Sequence, residues 1–384
     1  MAAHVDPINL SARFAKAFGV TPRIFVGPGR INIIGEHVDY CGGMVMPAAI
    51  DRACYVAIAA NDLGVLRVQS DFGDAELGLD AFIKQGDWRD YVAGMAFALR
   101  EAGEIVTGHD LIIQSDVPVG AGVSSSAALE VAIGLALTGG RISGPRLAVI
   151  AQRSENHFVG MKCGIMDQFA SANGVADHAL LLDCATLACQ TLSVPPDACF
   201  VLVDSGVKHE HVGGGYASRR ADCEAAAATL GVGLLSAVDT VAALAPLSGN
   251  ALKRARHVVS EIARTKSACQ ALSRGDLAAL GALMNASHAS LSADMDVSTR
   301  EVDLLANIAQ NTIGVYGARM MGGGFGGSVI ALVDRAHAKA AQDQISIAYA
   351  DHLGHAPDSF VVKLAQGAHE WLDQRRAPAP TPSP

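Results

Sequence analysis

The order of apolar and polar residues predicts alternating strands and helices through the first half of the chain. Apolar residues at helical spacing, or small residues in a run, predict four helices, at 10–18, 88–102, 125–137 and 145–159. Runs of β-branched and aromatic residues predict four strands, at 23–26, 55–60, 65–68 and 111–113. We expect the first strand to end at Gly27, and the strands on either side of residues 61–64 to pair around a turn.

The pattern changes near residues 192–196, after which a new apolar strand is predicted at 200–203. The rest of the chain is largely helical, with helices predicted at 217–230, 253–271, 277–291 and 300–310 and a strand at 328–333. Ser298 and Glu301 have the spacing of a capping box. We therefore predict an N-terminal domain, a C-terminal domain and a disordered Pro-rich tail, over 1–192, 193–376 and 377–384.

Composition and charge narrow the class of protein. Of the 384 residues, 50% are hydrophobic and 17% are charged, which is typical of a globular protein with a buried core. The formal net charge is −9 and no basic face is evident, which argues against nucleic acid as a partner. The eight cysteines form no CxxC pair, and no apolar run reaches the roughly 18 residues of a membrane span. We expect a cytoplasmic protein with no membrane or nucleic-acid partner.

The most informative local stretch is rich in glycine and serine and lies between a predicted strand and the helix at 125–137. Glycines let backbone amides approach a ligand, the helix N-terminus adds unpaired N–H groups, and serine hydroxyls can bind phosphate or a metal. A tight turn with a serine N-cap is the alternative, but three successive serines favour an anion site. No Walker lysine motif is present, so a phosphoryl-transfer enzyme here needs a metal ion and another cation. The stretch is Gly120, Ala121, Gly122, Val123, Ser124, Ser125 and Ser126.

A second candidate segment, residues 29–40, combines an arginine, two carboxylates and a histidine with three isoleucines. Sugar hydroxyls both donate and accept hydrogen bonds, so a sugar site needs this mixture of groups. The isoleucines indicate that the segment is partly buried, whereas a solvated loop with ordinary charges is the alternative. The polar residues are Arg30, Glu36, His37 and Asp39.

Three further features have an ordinary structural explanation when each is taken alone. Asp167 is the single charge in an uncharged run, and a helix N-cap would explain it. Glu155, on the helix predicted at 145–159, would be a surface charge. A second Gly-rich loop at 321–327 would be a simple turn before a strand.

These motifs, in this order, resemble those of the GHMP kinases and, within them, the galactokinases. Residues 29–40 resemble the galactokinase signature, residues 118–128 the GHMP phosphate loop and residues 321–327 the third GHMP motif. The resemblance implies an α+β, two-domain GHMP kinase fold. Such a fold has an N-terminal α/β domain like ribosomal protein S5, a C-terminal α+β domain and an active site in the cleft between them.

The resemblance also implies an activity and a role for each motif residue. A galactokinase transfers the γ-phosphate of ATP to the C1 hydroxyl of D-galactose, giving galactose 1-phosphate and ADP, with Mg²⁺ as the metal ion. By position, Asp167 matches the catalytic base and Arg30 the arginine that steadies the developing charge. Ser126 and Glu155 match the Mg²⁺ ligands, and residues 120–126 match the ATP-phosphate loop. The matched sugar contacts are Glu36, His37, Val38, Asp39, Gly164 and Tyr216.

Some positions depart from the family pattern. Cys41 stands where the family usually has asparagine, Val38 where it usually has threonine, and residues 213–215 are glycines where a Ser-Glu pair is more frequent. Another sugar, such as N-acetylgalactosamine or arabinose, is therefore one alternative. A non-catalytic galactose sensor is the other, and the complete serine run and Asp167 argue against it. We expect galactose and ATP as small-molecule substrates of a monomer.

Overall fold

The computed structural model describes residues 3–208 and 212–373, which form three β-sheets and the helices packed on them. The strands are β1 (Arg23–Asn32), β2 (Met44–Val45), β3 (Pro47–Ala60), β4 (Val65–Ser70), β5 (Gly73–Gly78), β6 (His109–Ser115), β7 (His178–Asp183), β8 (Cys189–Ser193), β9 (Ala198–Lys208), β10 (Val315–Met321), β11 (Gly326–Asp334), β12 (Ser359–Val362) and β13 (His369–Trp371). The α-helices are α1 (Pro7–Phe18), α2 (Arg89–Glu101), α3 (Ser125–Leu137), α4 (Gly144–Arg153), α5 (Met166–Asn173), α6 (Val212–Leu230), α7 (Gly249–Ser273), α8 (Leu277–Ser290), α9 (Arg300–Gln310) and α10 (Ala338–Leu353). A 3₁₀ turn covers Asp39–Cys41, and a π-helical turn covers Ser154–Val159.

The six-stranded sheet, in the order β13-β1-β3-β6-β4-β5, carries the N-terminal motifs. Helix α3 packs on β1 and β3, and α2 packs on α3. Successive residues of β1 point to opposite faces, so Phe25 joins the main core while Ile24 packs with Leu10 and Phe14 of α1. β1 is therefore covered on both faces, which explains its nearly complete burial.

β1 does not end at Gly27, so that prediction is wrong. The strand continues through Pro28 to Asn32, and its register with β3 shifts between Pro28 and Arg30. This irregularity accommodates the proline without ending the strand. Gly27 serves close packing instead, because a Cβ on it would lie 2.3 Å from the Ala128 carbonyl oxygen of α3.

The predicted pairing of the strands around residues 61–64 is also wrong. β6 lies between β3 and β4, antiparallel to the first and parallel to the second. Asp110 of β6 accepts hydrogen bonds from Asn61 at 2.8 Å and from Arg67 at 2.7 Å. Asn61 of the turn and Arg67 of β4 therefore both help to hold β6 between the two strands that the turn connects.

The second half of the chain contains an antiparallel sheet in the order β10-β11-β9-β12. α8 and α9 pack on β10, and α10 packs on β9 and β12. β13 returns to the first sheet and pairs with β1. A third, smaller sheet has the order β2-β7-β8.

The helices of the second half are confirmed, but the capping box before α9 is not. Thr299 is the N-cap, and its side chain accepts a hydrogen bond from the Val302 amide. The Ser298 hydroxyl has no hydrogen-bond partner in the described part of the chain. The S-x-x-E spacing is thus present, while the neighbouring threonine caps the helix.

Two predictions about the organisation of the chain are not tested by the structure. The first is the domain division at residue 192. The tail predicted at 377–384 lies outside the described residues. No helix within residues 3–208 and 212–373 has the length and apolar character needed to cross a membrane.

Candidate active site

The phosphate-loop motif forms a tight turn with three left-handed backbone conformations. They occur at Gly120 (φ 82°), Gly122 (φ 72°) and Ser124 (φ 61°), and α3 begins at the next residue. A turn of this kind before a helix N-terminus gathers unpaired backbone N–H groups into an anion-binding concavity. A left-handed serine is strained, and such strain is concentrated at functional sites.

The Ser124 side chain does not cap α3. Its Oγ instead donates a hydrogen bond of 2.5 Å to Asp167 Oδ2. Ser124 thus stands at the N-cap position that the sequence left open as an alternative, but it makes no side-chain capping bond. The hydroxyl connects the phosphate loop to the first turn of α5, where Asp167 lies.

Arg30 and Asp167 form an ion pair beside this loop. Arg30 Nε donates to Asp167 Oδ1 at 2.8 Å, and Nη2 lies 2.7 Å from the same oxygen. Arg30 Nη1 donates to the Gly122 carbonyl oxygen at 2.5 Å. The arginine side chain is 4% exposed and the aspartate side chain 31%, so the arginine is a fixed buried charge while the carboxylate is open to a ligand. Asp167 is not a helix N-cap, since Ile165 has that position.

The second Gly-rich loop, residues 321–327, packs directly against the first. A Cβ on Gly122 would lie 2.9 Å from the Met321 carbonyl oxygen, and Ser328 Oγ donates to the Ala121 carbonyl oxygen at 2.8 Å. Glycine is needed where two backbones approach so closely. The simple-turn explanation of this loop is therefore incomplete.

Glu36 is held by Arg319, an arginine that sequence analysis did not single out. Arg319 is fully buried on β10, and its Nη2 donates to Glu36 Oε2 at 2.8 Å and to the Asn32 carbonyl oxygen at 2.7 Å. Its Nε donates to the Ile33 carbonyl oxygen at 2.9 Å. Arg319 is the single charged residue in the run at 318–321, and such a lone charge indicates a buried group that needs a partner, as it does for Asp167.

Three rings come together next to Glu36. The centroid of His37 lies 5.4 Å from that of Tyr216 and 5.9 Å from that of Tyr40, and the two tyrosine rings are 5.5 Å apart. Burial lowers the pKa of His37 to about 3, so its imidazole is neutral at physiological pH. Its Nδ1 lies 3.0 Å from the Tyr40 hydroxyl, and its Nε2 has no hydrogen-bond partner among the described residues. One buried polar atom is thus left for a ligand.

Asp39 and Gly164 are in close contact. A Cβ on Gly164 would lie 1.8 Å from Asp39 Oδ2, so only glycine fits there. Burial, reinforced by the nearby Asp167, raises the pKa of Asp39 to about 7. A carboxylate that is costly to ionise gains most from hydrogen-bond donors on a ligand.

One cavity brings most of these residues together. Its wall includes the predicted residues Arg30, Glu36, His37, Asp39, Gly164, Asp167 and Tyr216. Cys163, Met166 and the backbone of Gly322 and Gly323 also line it, although sequence analysis assigned no ligand contact to them. Val38 is different, because its side chain is fully buried in the hydrophobic core and does not line the cavity.

Ser126 and Glu155 meet beside the phosphate loop. Glu155 is 3% exposed, which rules out a surface charge, and burial raises the pKa of this carboxyl. The Ser126 hydroxyl lies within hydrogen-bonding reach of it. A hydroxyl and one carboxylate fit Mg²⁺, which usually keeps water and phosphate among its ligands, and a cation would offset the cost of the buried charge. No cluster of three or more His, Cys, Asp or Glu suited to a metal occurs among the described residues.

Three family models match the chain. The galactokinase galactose-binding signature matches residues 12–60, the GHMP kinases N terminal domain residues 90–175 and the GHMP kinases C terminal domain residues 268–351. The chain is 41% identical to a galactokinase of Roseiflexus sp. (strain RS-1), over 97% of this chain and 99% of that protein. It is 43% identical to a galactokinase of Chloroflexus aurantiacus, over 94% of this chain and 96% of that protein.

Solved structures give the same result for the fold. The structure of Lactococcus lactis galactokinase complexed with galactose matches with a TM-score of 0.90 and 34% identity, over 95% of this chain and all (100%) of that chain. A mevalonate kinase structure matches with a TM-score of 0.62 and 18% identity, over 89% of this chain and 98% of that chain. The GHMP kinase fold is therefore confirmed. Because these family models and near-full-length relatives agree, the chain belongs to the galactokinases, the family of ATP-dependent sugar kinases within the GHMP kinases.

Proposed function

We propose that this galactokinase-family protein transfers the γ-phosphate of ATP to the C1 hydroxyl of D-galactose. The products are galactose 1-phosphate and ADP, in the first phosphorylation step of galactose metabolism. The observation that carries the proposal is the contact of Asp167 with both Arg30, at 2.8 Å, and Ser124, at 2.5 Å. A single carboxylate thereby joins the anion-binding loop to the polar cavity, where a phosphoryl group and a sugar hydroxyl would meet.

Asp167 orients the C1 hydroxyl and accepts its proton late in the reaction. Arg30 contacts Oδ1 of this carboxylate through both Nε and Nη2, whereas Oδ2 accepts one hydrogen bond from Ser124, so Oδ2 retains a lone pair for the substrate hydroxyl. Arg30 is a fixed positive charge next to the developing alkoxide, and its contact with Gly122 ties it to the loop. Since the transition state of phosphoryl transfer is loose, positioning and charge neutralisation carry most of the rate.

The sugar is bound by Glu36, His37, Asp39, Gly164 and Tyr216. Neutral His37 offers an unpaired Nε2, and Asp39 offers a carboxylate in need of donors. A wrong epimer would leave these buried groups without partners, which is how a polar site discriminates between sugars. Val38 contributes to the shape of the turn, since its carbonyl oxygen accepts hydrogen bonds from the amides of Cys41 at 3.1 Å and of Gly43 at 2.8 Å.

Residues 120–126 hold the phosphates of ATP, and Ser126 and Glu155 are the protein ligands of Mg²⁺. When bound, Mg²⁺ neutralises charge on the phosphate oxygens. We also propose the domain division at residue 192, and a monomeric protein in the cytosol. The eight cysteines are free thiols, which is compatible with a reducing compartment.

Incubation of the purified full chain with galactose, ATP and Mg²⁺ tests this function. We expect ADP release that depends on galactose, and a phosphate ester at C1 identified by NMR. The same assay on N-acetylgalactosamine, arabinose and glucose tests the sugar. A much higher kcat/KM for another sugar would reassign the substrate. Saturable galactose binding without ADP release would instead favour a sensor.

A further inference from the structure

Gln168, the residue after Asp167, is fully buried on α5. Its Nε2 donates hydrogen bonds to Glu155 Oε2 at 2.5 Å and to Glu130 Oε2 at 3.2 Å. Glu130 is also fully buried, on α3, one helical turn after Ser126. One amide nitrogen therefore bridges two buried carboxylates, of which Glu155 is the proposed metal ligand.

Two of the side-chain donors to Glu155 bind the same oxygen. Cys163 Sγ donates to the same Oε2 at 3.2 Å, so Oε2 has two donors from outside its own helical turn. Neither of these donors contacts Oε1. Two donors on one oxygen oppose rotation of the carboxylate, so Oε1 is held on the side away from Gln168 and Cys163.

The hydrogen bonds of Gln168 to the two carboxylates leave its own oxygen unpaired, a loss of stability that a purely structural contact would avoid. Gln168 Oε1 is buried and has no hydrogen-bond partner in the described ranges. An unpaired buried acceptor lowers stability, and an apolar side chain of the same size would remove that loss. Turning the amide over would direct this oxygen at two carboxylates. The site therefore uses glutamine for its two N–H donors.

We infer that Gln168 is a positioning residue that acts through Glu155, with Glu130 as its anchor, and holds the Glu155 carboxylate in the orientation that binds Mg²⁺. The inference rests on the proposed metal-binding role of Glu155. Asp167 and Gln168 are consecutive in the first turn of α5. The start of α5 thus positions both the Asp167 carboxylate, which would contact the sugar hydroxyl, and the Glu155 carboxylate, which would bind the metal.

The first test compares Gln168→Met with Gln152→Met. Both remove a buried or half-buried amide of the same size, but Gln152 Nε2 donates to the Cys163 carbonyl oxygen at 3.3 Å and not to a carboxylate. Mn²⁺ binding is measured by electron paramagnetic resonance with a non-hydrolysable ATP analogue, and the KM for galactose is measured beside it. We expect Gln168→Met to weaken Mn²⁺ binding about tenfold with an unchanged galactose KM, as for other partners of metal ligands. Equal Mn²⁺ affinity in the two variants would overturn the inference.

A second pair of variants tests the anchor and covers the case in which Gln168→Met does not fold. Glu130→Gln keeps an oxygen acceptor for Gln168, whereas Glu130→Met removes it. We expect only the methionine variant to weaken Mn²⁺ binding, and equal binding by both variants would overturn the role of Glu130.

The wild-type measurements separate this inference from the proposed function. Failure of the wild type to phosphorylate galactose would end the proposed function, while the Mn²⁺ titrations would still decide the role of Gln168. Wild-type protein that adds nothing to the Mn²⁺ affinity of the nucleotide alone would overturn the inference itself.

Discussion

Replacement of Asp39 by asparagine separates the effect of this buried carboxylate on protein stability from its proposed role in binding galactose. Burial, followed by the charges of Asp167 and Glu36, raises the pKa of Asp39 from its ordinary value of 3.8 to about 7. The Tyr40 backbone amide and the charge of Arg30 act in the opposite direction but do not cancel this effect. The folded protein therefore keeps a proton on Asp39 over a pH range in which the unfolded chain has lost it.

The size and sign of the effect follow from this difference. Well below the ordinary pKa both states hold the proton, and Asp39 does not penalise folding. Between about pH 4 and about pH 7 only the folded state holds it, and each pH unit then costs the folded state about 1.4 kcal/mol. The free energy of unfolding of the wild type should fall relative to that of Asp39→Asn by about 4 kcal/mol over this range. Above the raised pKa the difference should stay constant.

Urea unfolding of both proteins at a series of pH values measures this difference. Asp62→Asn, which removes an exposed carboxylate from a turn, is the control for the loss of one negative charge. The stabilised Asp39→Asn protein should lose galactose kcat/KM by at least about tenfold, because the amide keeps one acceptor oxygen but places an NH₂ donor where the carboxylate has its second acceptor. A stability difference that does not change with pH would refute the reasoning, since it would mean that Asp39 titrates alike in both states.

Three further substitutions probe other contacts of the site. Asp167→Ala should lower kcat about 10² to 10⁴-fold with little change in the KM for ATP, as loss of a positioned proton acceptor does, and near-normal turnover would exclude Asp167 as the base. Gly164→Ala places a Cβ 1.8 Å from Asp39 Oδ2, so steady-state kinetics should show a galactose KM raised by about tenfold or more; an unchanged KM would mean that Asp39 does not contact the sugar. Ser124→Gly and Ser124→Ala both lose the bond to Asp167, but only alanine keeps the strain of a φ of 61°. The alanine variant should therefore be less stable by about 1 kcal/mol in urea unfolding, and equal stability would contradict a strained loop.

Local patterns were sufficient for most helices and insufficient for strand neighbours. The helices predicted at 125–137 and 300–310 are confirmed as α3 and α9 with the same bounds, because apolar spacing and small residues act within a few turns. The strands at 55–60 and 65–68 exist, but β6 separates them. Which strand inserts between two others depends on contacts such as Arg67 with Asp110, which lie far apart in sequence.

By itself, the sequence determined the phosphate loop without a lysine, the mixed polar segment at 29–40 and, through its resemblance, the family. Without the resemblance, it did not show whether Asp167 is more than a helix cap or Glu155 more than a surface charge. Nothing in the local sequence distinguishes such residues from a buried functional carboxylate. Only the tertiary structure decided that Asp167 meets Arg30, 137 residues away in the chain, and Ser124, and that Glu155 is buried next to Ser126. The physical reason is desolvation: whether a carboxylate is costly, and which donors offset that cost, depends on which distant segments exclude water from it.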